Sequence, residues 1–215
     1  MIISPGRKYI FVHIPKTGGT SLALALEARA KADDILIGDT PKARRRRNRL
    51  KELSTPGRLW KHSRISDIQG LAQAEPLDDF FVFTLVRNPW DRIFSLFHWL
   101  REQSFDHPSV AIAKGRDFPD FVSAPEMREA FENDAVANYV TDNRGQWRCD
   151  LCLRLENLSH DINILEERLE LKLPPLSHEN PSNRPAEYRD AFDKSTTDLV
   201  AHWFADDIKR FGYEF

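Results

Sequence analysis

The run Phe80-Phe81-Val82-Phe83-Thr84-Leu85-Val86 leaves the chain few ways to fold. It is aromatic and β-branched, and no polar residue alternates with its apolar ones. A strand with one wet face alternates; an unbroken apolar strand needs cover on both faces, as in a parallel sheet flanked by helices. What surrounds it agrees. Asn88-Pro89 follows, pairing a preferred N-cap with the residue favoured at the first helical position. Ile93, Leu96, Phe97 and Leu100 then recur at helical spacing, a stripe facing a core.

The same strand-then-helix order appears at the start of the chain. Tyr9 to Ile14 reads as a strand, Pro15 to Gly19 as a turn, and Leu22, Ala25, Leu26 and Arg29 continue at helical spacing. Leu151, Leu153 and Leu155 alternate with polar neighbours as a third strand, and Ile162, Leu165 and Leu169 follow as a helix. Residues 106–143 read as short helices and loops. At the end, Ser195-x-x-Asp198 reads as a capping box for a helix carrying Leu199, Trp203, Ile208 and Phe211, closed by Gly212. Strands alternating with helices predict an α/β layered fold with a parallel sheet, in a single domain over residues 1–215.

Two stretches carry chemistry. Pro15-Lys16-Thr17-Gly18-Gly19-Thr20-Ser21 lies between a strand and a helix. Glycines let backbone N–H groups approach a ligand, and a helix N-terminus offers unsatisfied donors and partial positive charge. Lys16 and the hydroxyls of Thr17, Thr20 and Ser21 complete a phosphate cradle. The alternative is an ordinary strand-to-helix turn. The stretch is not the nucleotide loop GxxxxGK[ST], because Lys16 precedes the glycines. Nor does Phe80–Val86 end in the aspartate that holds magnesium in such enzymes; Arg87-Asn88 stands there and suits a second phosphate. Arg87 can grip phosphate bidentately, or it can salt-bridge an aspartate at the sheet edge. Ser95 lies about 200° around the helix from Ile93, off the core stripe and turned toward a ligand.

These residues resemble a known family. Phe11 to Leu22 (FVHIPKTGGTSL) is similar to the 5′-phosphosulfate loop of sulfotransferases that use 3′-phosphoadenosine 5′-phosphosulfate (PAPS). Arg87 with Ser95 resembles their 3′-phosphate motif. The similarity is to the glycan-type branch (sulfotransferase family 2), which includes heparan and uronyl 2-O-sulfotransferases and small bacterial relatives. Leu153 to Leu158, the stretch from Asn180 and Ser182 to Tyr188, and the terminus from Asp207-Ile208 to Phe215 resemble later family segments, the second of them a cofactor loop. The resemblance implies a P-loop-like three-layer fold, PAPS as donor and the bisphosphate PAP as product. It implies donor contacts from Lys16, Thr17, Gly18, Gly19, Thr20, Ser21, Arg87, Ser95 and Ser182. It also implies transfer without a metal, since a sulfuryl group carries less negative charge than a phosphoryl group. Lys16 would stabilise the departing phosphate. His62, in Trp60-Lys61-His62-Ser63, resembles the family's catalytic base, and histidine titrates in the range the task needs. The acceptor would be a hydroxyl, on a carbohydrate. A kinase or NTPase, and a non-catalytic module that binds PAP or a polyanion, are the alternatives.

Charge bears on the acceptor. The formal net charge of −2 argues against a strongly basic nucleic-acid binder. Yet residues 39–64 hold 10 Lys and Arg against Asp39 and Glu52, a local +8. Within it the run Arg44 to Arg49 is either a solvated surface or a collector of anionic acceptor near His62. No readout motif for nucleic acid accompanies it. No apolar run approaches the roughly 18 residues that span a bilayer, and the N-terminus lacks a signal-peptide pattern, so the expected setting is cytoplasmic. Cys149 and Cys152 spell CxxC, but one such pair makes no structural zinc site, and residues three apart on an extended chain point to opposite faces. His13, on a strand, is expected in or near the core, and His98 on a helix surface.

Overall fold

The structure is a computed structural model, and it describes residues 1–68, 77–177 and 184–215. The strands are β1 (Ile2–Ser4), β2 (Tyr9–Val12), β3 (Ile35–Leu36), β4 (Phe81–Val86) and β5 (Leu151–Arg154). The helices are α1 (Gly19–Ala28), α2 (Pro41–Arg46), α3 (Ile65–Ile68), α4 (Pro89–Arg101), α5 (Pro108–Gly115) and α6 (Phe118–Val122), then α7 (Pro125–Glu132), α8 (Val136–Val140), α9 (Leu158–Leu169), α10 (Lys194–Trp203) and α11 (Ala205–Phe211). By internal contacts the chain forms two compact units: Met1–Val86 with Ala137–Glu179, and Arg87–Val136 with Asn180–Phe215.

The first unit holds the sheet, in the order β3-β1-β2-β4-β5. Strands β2, β4 and β5 are parallel, with Phe11 opposite Phe83 and Phe83 opposite Leu151. The apolar run is their centre: from Val82 to Val86 every residue of β4 is buried. Thr84 fits there because its hydroxyl donates to the Val12 carbonyl at 2.7 Å, so no polar group is left unsatisfied. Tyr9, Phe11, Phe83, Leu85 and Leu153 share one core with Leu22, Ala23 and Leu26 of α1 and Leu165 of α9. Helices therefore flank a mostly parallel sheet, the expected α/β class. The sequence reading missed β1 and β3, which extend the sheet antiparallel at one edge. Two or three residues are too few to show a period.

The second unit is helical. Asn88 caps α4 as expected, its side-chain oxygen accepting from the Trp90 N–H at 3.1 Å, with Pro89 in the first turn. Ile93, Phe97 and Leu100 are buried, and so are Trp90, Arg92 and Phe94. Arg92 is satisfied by Asp134, whose carboxylate and backbone carbonyl lie 2.7 and 2.8 Å away. The C-terminal helix begins differently from expectation. Asp193 is the N-cap and closes a capping box with Thr196, while Asp198 pairs with Lys194 one turn back. Asp193 wins because its extended backbone aims its carboxylate at the Thr196 N–H, 2.7 Å away. The helix also breaks at Phe204 into α10 and α11, and Gly212 ends α11 in the left-handed conformation. No described helix is long and apolar enough to cross a membrane.

Candidate active site

Strand β2 ends at Val12, and the chain turns through residues 13–18 into α1. Lys16 and Gly18 both take positive φ, 61° and 83°. Gly18 is the N-cap of α1 and, as a glycine, offers no capping side chain. Its left-handed backbone favours glycine, and a Cβ there would stand 2.8 Å from Leu155 Cδ1, the end of a side chain that would have to shift. The first turn of a ten-residue helix thus begins at a bend whose N-cap residue has no side chain, an arrangement suited to an anion. Thr20 and Ser21 stand in that first turn, half-buried beside the half-buried Lys16. Thr17 is a correction to the expected cradle. It is buried and its hydroxyl donates to the Ile14 carbonyl at 2.9 Å, so this group braces the bend rather than offering its proton to a ligand.

His13 links this bend to His62. The His13 ring packs against Gly19, where a Cβ would stand 2.3 Å from ring carbon Cδ2. Its carbonyl lies 2.7 Å from His62 Nδ1. A carbonyl only accepts, so Nδ1 carries the proton and, in the neutral ring, Nε2 carries the lone pair. The two rings meet edge to face at 4.8 Å, and Trp60 stands edge to face with His62 at 5.0 Å. Burial, then the charges of the N-terminal amine, His62 and Lys61, hold the His13 ring well below the usual histidine range. His13 is therefore a neutral core group, as expected.

The turn that presents His62 is fixed by Ser63. Its buried hydroxyl accepts from the Trp60 N–H at 2.8 Å and lies within 2.9 Å of the carbonyls of Arg58 and Trp60. The Met1 amine, lowered to about 5 by burial, ties the turn to β1 through the Ile37 and Lys61 carbonyls, each at 2.9 Å. Beside the turn lies a cavity of about 580 Å³ lined by Trp60 together with Arg47, Lys51, Arg58 and Lys61. Asp39 lines it too, paired with Lys61 at 3.1 Å, which leaves the lining net positive.

The basic segment is thereby divided. Arg46 turns back to the carbonyls of Lys31 and Asp34 at 2.8 and 3.2 Å, and Arg49 to that of Ala32, so these two brace a loop. Arg47 and Lys51 line the cavity instead.

In the helical unit, Arg87 directly precedes the N-cap of α4. Its Nε and Nη2 donate to one oxygen of Asp91 at 2.8 and 2.7 Å, and Arg184 approaches the other oxygen at 2.7 Å. Arg87 thus pairs with an aspartate, as one of its two sequence readings had it, but with Asp91 in the first turn of α4 rather than one at the sheet edge. With two guanidiniums on one carboxylate, the group retains one positive charge. Arg184 also lies over the Phe94 ring at 5.4 Å. Each residue lies in a stretch the sequence singles out, Asp91 after Arg87 and Arg184 in the late loop, but their pairing across more than ninety residues was not legible there.

Ser95 is buried, 4% exposed, contrary to the expectation from helical angle. The reason is that α4 has buried residues around most of its circumference, so its far side is covered too. His98 is half-buried between the rings of Phe94 and Phe97 rather than on an open surface, and burial, then Arg184 and Arg101, lower its pKa. Ser182 and Asn180 lie outside the described residues.

Cys149 and Cys152 also correct an expectation. Their sulfurs lie 3.5 Å apart, because Cys149 sits in the bend before β5 rather than on the strand. No cluster of three or more metal-binding side chains occurs among the described residues.

A model of the sulfotransferase family matches residues 1–214. Among solved structures the chain is similar to mouse sulfotransferase SULT7A1 complexed with PAP, with 15% identity and a TM-score of 0.46 over 96% of this chain and 85% of that one. Comparison with curated proteins gave no match.

Proposed function

The chain belongs to the sulfotransferase family, whose members transfer sulfuryl groups, and from that premise we propose that it moves a sulfuryl group from PAPS to a carbohydrate hydroxyl. One observation carries the proposal. His13 belongs to both halves of the chemistry: its ring packs on the first residue of α1, and its carbonyl fixes the tautomer of His62. A general base and an anion-binding helix terminus therefore meet on a single residue.

In this reading, the backbone N–H groups of residues 17–19, the first-turn hydroxyls of Thr20 and Ser21, and the Lys16 ammonium hold the 5′-phosphosulfate of the donor. Arg87, oriented by Asp91, takes the 3′-phosphate, with Ser182 in the late loop as a further donor contact; Ser95, covered on α4, is left out of this set. His62 Nε2 removes the acceptor's proton as its oxygen attacks sulfur. The bond from sulfur to the bridging oxygen breaks, and Lys16 stabilises the negative charge left on the departing phosphate. No step calls on a metal ion. The cationic cavity beside Trp60 supports an acceptor with anionic groups, its ring resting on the exposed indole.

Calorimetry with PAP, with and without magnesium, tests the donor half. The protein is expected to bind PAP without magnesium. The double variant Lys16→Ala, Arg87→Ala removes two charge-assisted contacts, worth about 3 kcal/mol or more together, and so weakens binding at least about 100-fold. No binding by the unaltered protein, or equal binding by the variant, refutes the assignment.

A further inference from the structure

Cys149 and Cys152 are a second chemical feature, independent of the donor loop. They lie at the start of β5, whereas Leu155, which packs near Gly18, lies beyond its end. Both are free thiols and both are partly exposed. The bend that carries them is clamped on every side. The Asp150 N–H donates to the Val82 carbonyl at 2.7 Å, and its carboxylate accepts from the Val82 N–H at the same distance. The Trp147 indole donates to the Cys149 carbonyl at 2.8 Å, and the Arg148 N–H to the Val140 carbonyl at 2.9 Å. Cys152 is held in the sheet opposite Thr84.

Two thiols fixed in contact have a high effective concentration toward each other. A disulfide needs about 2.05 Å between sulfurs, so the 3.5 Å separation must close by roughly 1.5 Å.

We propose that Cys149 and Cys152 form a reversible dithiol–disulfide site, oxidised by a low-molecular-weight disulfide of the glutathione type. Cys152 sulfur, as thiolate, attacks one sulfur of the oxidant and expels a thiol, leaving a mixed disulfide. Cys149 then gives up its proton, attacks the Cys152 sulfur as thiolate, and closes the internal bond, while the expelled thiolate takes up a proton as the second thiol. The protein loses two electrons and two protons, and the oxidant gains both as two thiols. The order follows from the contact. Hydrogen bonding to Cys152, then burial, raise the Cys149 thiol well above its ordinary range, so it enters second, once the mixed disulfide has formed.

The test is clean because the chain has only these two cysteines. The full chain is equilibrated in glutathione buffers of increasing oxidised fraction, and its thiols are counted by alkylation and intact mass. The expected result is a fall from two thiols to none in one step. The mass drops by two hydrogens, the chain stays monomeric on a non-reducing gel, and dithiothreitol restores both thiols. Cys149→Ser is expected to stop at a single glutathione adduct on Cys152. Two thiols persisting across the whole range, two separate adducts, or linkage between chains would overturn the proposal. None of these outcomes depends on PAP binding or sulfuryl transfer.

Discussion

Replacing Gly19 with alanine sets two effects against each other, and the structure decides which wins. Gly19 is the first residue of α1 and does not take positive φ. By helix propensity alone, the change should stabilise the protein by about 0.5–1 kcal/mol. However, the new methyl would lie 2.3 Å from His13 Cδ2 and 2.6 Å from Nε2, well inside the roughly 3.5–4.0 Å of a normal contact. His13 is buried and its ring packs against those of Phe11 and His62, so it cannot swing away cheaply. Overpacking of this kind costs about 1–3 kcal/mol. The expected net effect is destabilisation of about 1–2 kcal/mol, a melting temperature about 2–8 °C lower for a chain of this size. Scanning calorimetry on a double-mutant cycle isolates the cause. With His13→Ala already present, the contact is gone and Gly19→Ala should become neutral or stabilising. If Gly19→Ala stabilises the unaltered protein, or costs the same with His13 removed, the packing of that ring on the loop is wrong.

Two further outcomes follow from the same site. His13 is neutral in the folded protein, with a pKa well below 6.5, whereas the unfolded chain takes up a proton near 6.5. Stability from this group is therefore complete above that pH and falls as pH drops below it, by up to about 1.4 kcal/mol per unit. Thermal melts between pH 7 and 5 (about the range where unfolded histidine titrates) should fall more steeply for the unaltered protein than for His13→Asn; parallel curves contradict the buried neutral ring. In the cavity, Lys51→Ala with Arg58→Ala should raise KM for an anionic glycan about 2- to 30-fold, since exposed charges are worth about 0.2–1 kcal/mol each. The effect should fade at high salt with PAP affinity unchanged, and an unaltered KM removes the cavity from acceptor binding.

Much of the sheet could be read in the sequence because its signals are local. The run through β4, the Asn88-Pro89 cap and the alternation into β5 each declare themselves within a few residues. The glycines of the donor bend do the same, and the structure adds what they contact. What escaped was set by distance or by brevity. Strands β1 and β3 exist through pairing, not through pattern. Burial of Ser95 depends on what covers the far side of α4, which a helical wheel does not contain. The thiol contact depends on a bend one residue before a strand. Thr17 looks like a ligand hydroxyl in the motif, yet the shape of the bend turns it to the Ile14 carbonyl. The split of the arginine run is similar: adjacent residues brace a loop or line a cavity according to their angle on one short helical stretch.

The most direct test of the account is transfer itself. Radiolabelled sulfate from PAPS should pass to at least one member of a glycan panel with the unaltered protein. His62→Ala should bind PAP as before and yet lose transfer by a factor of about 100 or more, the share general base catalysis commonly supplies. Undiminished transfer by His62→Ala would contradict the role of a histidine held through Nδ1 on the His13 carbonyl. Absence of transfer by a protein that binds PAP would contradict the proposed reaction.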